Sequence, residues 1–433
     1  MRYLLLAWGS RGDVQPFVAL GLGLRAAGHE VTVAATLDFE AWIREQGLGY
    51  TDFGVSVAEL SRTDLGRRWL GGTSRTVVGE LRMMREVSTL AADVVSTTLL
   101  RAVPDHDVLI SSTLTFEAGW ALARATGIGH AIALFAPALQ TSLGSSYVYA
   151  ALPRRHSALN RVLGALTSTA VQPVVAPIAA ELRRRLGVRR PGPLQLREDI
   201  RSTPTLLAVS PHVVPPAPDW PMPVQVTGWW TLPAHPGDPR DPGGPGDPGH
   251  PGHPGEPDPA LLAFVEAGPP PVYVGFGSMS SPDPRGSSRL VADACRAAGV
   301  RAVVLRGNAD LHVTGDGVLT IEGAAHDLLF PRMAAVVGHG GAGTTGAAFR
   351  AGVPQVVVPH MGDQPYWGRR VHELGCGPAP VARRELTAQR LADGIRAALT
   401  PGYAGAARRL GDQVRTEDGV AAAVAHLERT FAR

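Results

Sequence analysis

Proline stands at every third position from Pro233 through Pro257, with glycine at many of the places between. No other stretch constrains the fold so much. Each proline fixes φ and removes a backbone donor, so neither a helix nor a central strand can pass through the run. The frame Gly246-Asp247-Pro248, Gly249-His250-Pro251 imitates collagen, but a triple helix needs three chains and a much longer repeat. A solvated, partly extended connector is expected instead. His235, His250 and His253 lie in it without a framework to hold a coordination geometry. The connector divides 433 residues into two halves, each long enough for its own core.

Both halves alternate between short apolar runs and helical patterns, the mark of an α/β fold with parallel sheets. In the first half, Tyr3–Ala7, Val31–Ala35, Asp107–Ser111, Ala131–Phe135 and Leu206–Val209 read as buried strands. A helix begun by Pro16 presents Phe17, Leu20 and Leu24 on one face and stops at Gly28. In the second half, Val272–Phe276, Arg301–Leu305, Ala335–Gly338 and Gln355–Val358 read as strands. Helices over Ser287–Ala298, Thr345–Ala351 and from Pro365 end at Gly299, Gly352 and Gly375. The expected division is an N-terminal domain at 1–230, a linker at 231–259, a C-terminal domain at 260–410, and a helix over 411–433 that packs back on the first domain.

Every basic residue other than histidine is arginine, because the chain has no lysine. That excludes Schiff-base chemistry and a P-loop lysine. Cys295 and Cys376 are the only cysteines, too few for a disulfide framework or a four-thiolate zinc site. With a formal charge of +3 and no block of like charge, nucleic acid is not an expected partner. No apolar run approaches spanning length, so stable membrane insertion is not expected, and the cytoplasm is the expected compartment.

Ligands of open parallel sheets bind beyond the carboxyl ends of the strands. At such a place the sequence has His339-Gly-Gly-Ala-Gly-Thr-Thr345, small residues between a strand and a helix start. Free N–H groups and the positive end of the helix dipole suit a phosphate there, and His339 adds a further donor. After the next strand comes His360-Met-Gly-Asp-Gln-Pro-Tyr-Trp367. Asp363 and Gln364 side by side could read vicinal sugar hydroxyls, although both lie where helix-capping residues belong.

The block Gly323–Gln364, with AAHDLLF, HGGAGTTGAAFRAGVPQVVVP and GDQ, resembles the donor-binding signature of UGT-type nucleotide-sugar glycosyltransferases, especially the bacterial branch that decorates antibiotic aglycones. GSRGDVQPFVALGLGLRAAGHEV is similar to the acceptor-side signature, seen also in sterol glucosyltransferases, and PPPVYVGFGSM to the opening of the family's second domain. The resemblance implies the GT-B fold: two Rossmann-like, doubly wound domains facing across a cleft. It implies that His339 with the backbone of Gly341, Ala342, Gly343 and Thr344 holds the donor diphosphate, joined by Ser278 and by Ser10 or Arg11. Asp363 and Gln364 would contact the donor sugar, and Ala325 and His326 would lie along the nucleobase. Many relatives carry a histidine as base on the first loop. Here Met1–Arg25 contains none, which leaves Asp13 to take the acceptor's proton.

The implied reaction is a single inverting displacement that moves a hexosyl group from a UDP- or dTDP-sugar to a hydroxyl of a hydrophobic natural product. It needs no metal and no cofactor besides the nucleotide-sugar co-substrate. The only D-x-D triplet, Asp105-His106-Asp107, precedes its strand, on the wrong edge of the sheet for a diphosphate. Segments 55–100 and 136–200, with Trp69, Met83, Met84, Tyr147 and Tyr149, are the expected acceptor pocket. A sterol or lipid glucosyltransferase and a sugar-nucleotide epimerase of the same fold are the alternatives. A nicotinamide-dinucleotide enzyme fits worse, since Gly9 and Gly12 lack the G-x-G-x-x-G spacing.

Overall fold

The computed structural model describes residues 1–66, 77–143, 157–232, 259–323 and 326–432. It divides into two compact units, the first made of Met1–Leu65, Ser74–Leu232 and Asp418–Arg433, the second of Gly66–Thr73 and Pro233–Glu417. The expected linker falls almost wholly outside the described residues.

The first unit is built on a seven-stranded sheet in the order β3-β2-β1-β4-β5-β6-β7, with every neighbouring pair parallel. Its strands are β1 (Arg2–Leu6), β2 (Glu30–Ala35), β3 (Gly49–Asp52), β4 (Val108–Ser112), β5 (Gly129–Leu134), β6 (Thr205–Leu207) and β7 (Val224–Val226). Helices on both faces bury the central strands completely, which explains the unbroken apolar run Tyr3-Leu4-Leu5-Leu6-Ala7: none of these side chains is exposed. Burying a leucine of this kind stabilises by about 1.5–3 kcal/mol.

The second unit has a five-stranded parallel sheet in the order β10-β9-β8-β11-β12. These strands are β8 (Val272–Gly275), β9 (Ala302–Leu305), β10 (Val318–Ile321), β11 (Ala335–Gly338) and β12 (Gln355–Val357). In both sheets the chain leaves the first strand to one side and returns to its other side. The resulting switch points lie between β1 and β4 and between β8 and β11, where a crevice opens at the carboxyl edge.

Three details differ from the sequence expectation. The first helix spans Arg11–Ala26, so Pro16 lies inside it and Arg11, Gly12 and Asp13 form its opening turn rather than a loop. Ser10 is the N-cap, and its backbone N–H donates to the Asp13 carboxylate at 2.9 Å. That local bond starts the helix five residues before the proline. The expected single helix over 411–433 is two: Gly411 belongs to Pro401–Val414 of the second unit, and the last helix is Gly419–Phe431. Asp418 caps the latter by accepting from the Ala421 N–H at 2.9 Å. Finally, β3, β7 and β10 were not anticipated. All three are short edge strands with partly exposed side chains, and a polar residue interrupts each: Thr51, Gln225 and Thr320.

The last helix packs on the first helix of its own unit at Gly23 and on the segment after β7 at Gly419. A Cβ on Gly23 would meet Val420 Cγ1 at 2.3 Å, and one on Gly419 would meet the Gly228 carbonyl carbon and oxygen at 2.5 Å. His29 and Glu428 add a contact at 3.2 Å.

Candidate active site

In the second unit, the loops after β8 and β11 flank the switch point. The β11 loop carries His339 and leads into the helix Ala342–Ala351, whose N-cap is Gly341. A glycine cap offers no side chain, and the first intrahelical bond at this end is Thr345 N–H to the Gly341 carbonyl at 2.9 Å. The N–H groups of Ala342, Gly343 and Thr344 therefore precede the helical ladder and point out of its positive end. Gly343 is exposed, with open space where a Cβ would stand. Three directed donors and a helix dipole form a ready anion seat.

His339 is buried beside this seat, 7% exposed, and its position is set by glycines on two sides. A Cβ on Gly277 would stand 2.8 Å from His339 Cε1, and one on Gly341 2.5 Å from Nε2. Gly277 also has a φ of 56°, in the region that disfavours side chains. Burial, with smaller contributions from His360 and His326, pushes the imidazole down to about 3. His339 is thus neutral at physiological pH, and it offers one N–H rather than a charge. Ser278 follows Gly277 at the partly exposed tip of the β8 loop, and Asn308 braces that loop from the side by donating to the Ser278 carbonyl at 3.3 Å.

Asp363 and Gln364 sit after β12, at the start of the helix Gln364–Glu373, with Asp363 as N-cap. Burial pushes the Asp363 carboxyl up to about 6, even though the Trp367 indole N–H donates to its Oδ2 at 2.7 Å. Gln364 is buried and folds back on its own loop. Its Oε1 accepts from the His360 and Met361 backbone N–H groups at 2.7 and 3.0 Å, and its Nε2 donates to Met279 Sδ at 3.5 Å. The amide therefore ties the β12 loop to the β8 loop. What remains for a sugar on this turn is the second Asp363 oxygen and the second Gln364 N–H.

His326 turns its ring inward: it meets the Tyr273 hydroxyl at 3.1 Å and stacks on Phe330 at 4.4 Å between ring centroids. A nucleobase at this place would meet the backbone rather than the imidazole. Ala325 lies outside the described residues. The sequence reading gave no role to Gly277, Met279, Tyr273 or Phe330. Only the i, i+4 spacing of Asp363 and Trp367 on a helix start could have signalled their pairing.

In the first unit, Asp13 lies beyond the carboxyl end of β1 at the other switch point. It is partly exposed, and its Oδ2 accepts from the Ser10 N–H and, at 3.2 Å, from the Ser10 hydroxyl. Gly9 has a φ of 134°, and a Cβ there would fall 2.3 Å from Asp13 Oδ2, so the chain wraps closely around this carboxylate. Arg11 donates from Nε to Gln15 at 3.0 Å and lies over the Trp42 ring. Asp107 of the D-x-D triplet is at the opposite edge of the sheet, where it pairs with Arg2 at 3.0 Å. Met83 and Met84 lie on the long helix Val77–Ala102, whereas Trp69, Tyr147 and Tyr149 are outside the described residues. Leu90 on that helix and Leu159, Val162 and Leu166 on the helix Ala158–Leu186 are exposed. Among the described residues no group of three His, Cys, Asp or Glu side chains is arranged to hold a metal, and no helix is long and apolar enough to cross a membrane.

Residues 3–127 match the glycosyltransferase family 28 N-terminal domain, and residues 295–428 match the C-terminal domain of the erythromycin biosynthesis protein CIII-like group. The fold is shared with the glycosyltransferase VinC, solved in complex with dTDP, at a TM-score of 0.65 and 21% identity over 99% of both chains. Both halves thus carry glycosyltransferase domains, on the GT-B fold. The chain is 30% identical to the sterol 3-beta-glucosyltransferase of Candida albicans over 97% of its own length, and 29% identical to the sterol 3-beta-glucosyltransferase UGT80B1 of Arabidopsis thaliana over 99%. This GT-B chain spans 27% of the Candida protein and 68% of the Arabidopsis one.

Proposed function

We propose that this GT-B protein transfers a hexosyl group from a nucleoside diphosphate sugar to a hydroxyl of a hydrophobic small molecule, with inversion at the anomeric carbon. The anion seat formed by Gly341, Ala342, Gly343 and Thr344 carries this reading. Together with His339 and Ser278 it supplies fixed donors for a departing diphosphate, and fixed donors aimed at developing charge are the largest single contribution in many enzymes. No metal is required where backbone N–H groups and a helix dipole meet that charge.

In this proposal Asp13 accepts the proton of the attacking hydroxyl, and Ser10 holds the carboxylate in one orientation while the bond forms. Asp363 and Gln364 contact the sugar, and the backbone at 325–326 the nucleobase. The acceptor is a polycyclic alcohol of the sterol or antibiotic-aglycone kind. The names of the sequence relatives favour a sterol, and the exposed leucines of the first unit suit an apolar guest.

Incubation with radiolabelled UDP-glucose or dTDP-glucose and a panel of sterols and polyketide aglycones tests the proposal. Label in an apolar product supports it. Epimerised donor without transfer would favour the epimerase reading instead, and an unchanged donor with every acceptor would count against both.

A further inference from the structure

A recess of about 640 Å³ opens in the second unit between the helix Pro284–Ala298 and the loop that follows β9. Sites for small molecules run from about 300 to 1,000 Å³, so the space suits one. Arg285, Arg289 and Ala292 line it from the helix, and Arg306, His312 and Val313 from the loop. The loop is fixed in advance: the Leu311 N–H donates to the Arg306 carbonyl at 3.1 Å, the His312 N–H to the Ser288 hydroxyl at 2.9 Å, and the Val313 N–H to the Thr320 hydroxyl at 3.2 Å. Ser288 belongs to the helix, so its bond with His312 ties the two walls together.

The charges around this recess do not cancel. Asp310 is the one acidic side chain among the described residues lining it, and Arg306 already holds it at 2.7 Å while reaching Glu322 at 3.2 Å. Asp283, the N-cap of the helix, accepts from the Gly286 N–H at 2.8 Å, and Asp293 pairs with Arg296 at 2.7 Å. Arg285 and Arg289 are exposed, and among the described residues no acceptor bonds either guanidinium. They stand four residues apart on one helix face, where like charges repel. A phosphate monoester carries about 1.5 to 2 negative charges at neutral pH, which matches two unpaired arginines, and the guanidinium fork suits its oxygens. No Phe, Tyr or Trp is among the described residues lining the recess, so none stacks on a nucleobase there, and a phosphate on a small polyol fits better than a nucleotide.

We propose that this recess binds a phosphate monoester, with Arg285 and Arg289 bonding its oxygens from the helix and His312 flanking it on the loop. The proposal stands apart from the donor reading, because the recess shares no lining residue with the seat at 341–344. The same group is offered by a soluble glycerol or sugar phosphate and by the headgroup of phosphatidic acid in a bilayer, and the two sources are separated by experiment.

The test is calorimetry with glycerol 3-phosphate on the full chain, with glycerol as the blank, and co-sedimentation with phosphatidylcholine vesicles that contain or lack phosphatidic acid. Arg285→Gln and Arg289→Gln should each weaken phosphate binding by about threefold, and the two together by about tenfold. Arg408→Gln with Arg409→Gln removes the same charge from exposed positions of the helix Pro401–Val414 and should leave binding within about twofold of wild type. All four positions are exposed on helices, where glutamine is well tolerated, so each variant is expected to fold. Glycerol 3-phosphate binding that the first pair weakens supports the site with a soluble ligand, and vesicle binding that needs phosphatidic acid and is lost in that pair supports it with a lipid headgroup. No binding of either probe by wild type, an unchanged Arg285/Arg289 double variant, or equal losses in the two double variants overturns the site.

Discussion

Asp13 has two possible duties, and the structure provides the substitutions that separate them. Its Oδ2 accepts from the Ser10 N–H at 2.9 Å, the bond that starts the first helix, and the same carboxylate is the proposed proton acceptor. Asparagine keeps a carbonyl oxygen for Ser10 and loses the basicity; alanine loses both. The cap is worth about 1 kcal/mol, so Asp13→Ala should lower the midpoint of thermal unfolding by about 2–4 °C for a unit of this size, and Asp13→Asn by less than half of that. Turnover should divide differently. Losing a general base costs about 10²- to 10⁴-fold, so both variants should fall by about a hundredfold or more in kcat, with nucleoside diphosphate affinity nearly unchanged. Unfolding is followed by differential scanning fluorimetry, kcat with both substrates saturating, and affinity by calorimetry. An asparagine variant that keeps wild-type turnover would reduce Asp13 to a cap and refute the assignment. Gly9→Ala gives an independent check, since its Cβ would displace Asp13 Oδ2, and the same loss of turnover should follow without touching the carboxylate itself.

His339→Ala removes the ring wedged between Gly277 and Gly341 and should weaken nucleoside diphosphate binding by about tenfold or more; equal affinity by calorimetry would take His339 out of the diphosphate site. Gly23→Ala places a Cβ 2.3 Å from Val420 and should destabilise the first unit by about 1–3 kcal/mol through overpacking, read from urea unfolding, with an unchanged midpoint ruling out the close helix contact. Stability should also fall in acid. His130, His339 and His360 are held by burial at about 4, 3 and 4, so between pH 6.5 and 4 the unfolded chain binds protons that the folded one refuses. Asp363, raised to about 6, works the other way, because the folded chain keeps a proton that the unfolded one releases above pH 4. Near pH 5 the difference is an uptake of about two protons on unfolding, a slope of roughly 3 kcal/mol per pH unit, lost as pH falls. A flat stability profile between pH 6.5 and 4.5 would contradict the buried neutral histidines.

The parts of this fold that could be read from the residues are those where one local rule decides. Tyr3–Ala7 and Val272–Gly275 are apolar throughout because both faces of a parallel strand are covered, and Gly299, Gly352 and Gly375 end their helices in the left-handed conformation at φ of 69, 72 and 67°. The turn at His339 was legible for the same reason: a run of small residues lets the chain pass directly from strand to helix. Where two local rules compete, the sequence misleads. Pro16 advertises a helix start, yet Ser10 and Asp13 bond each other first, and the proline is carried into the helix.

What cannot be read locally is any position whose role depends on a distant segment. Gly23 is an unfavourable helix residue until Val420 arrives against it, and Gly419 is only a helix start until its missing side chain admits the Gly228 carbonyl. Gln364 shows the same limit inside the candidate site. Adjacent to Asp363 it reads as a second sugar contact, whereas its carbonyl is filled by two N–H groups of its own loop and its amide nitrogen reaches Met279, 85 residues earlier in the chain. A sugar that used the remaining Gln364 N–H would therefore pull on the β8 loop, which carries Ser278, the proposed diphosphate contact. Sugar recognition and diphosphate recognition are then one mechanical unit, so substitutions at Met279 should alter affinity for the intact donor more than affinity for the nucleoside diphosphate alone.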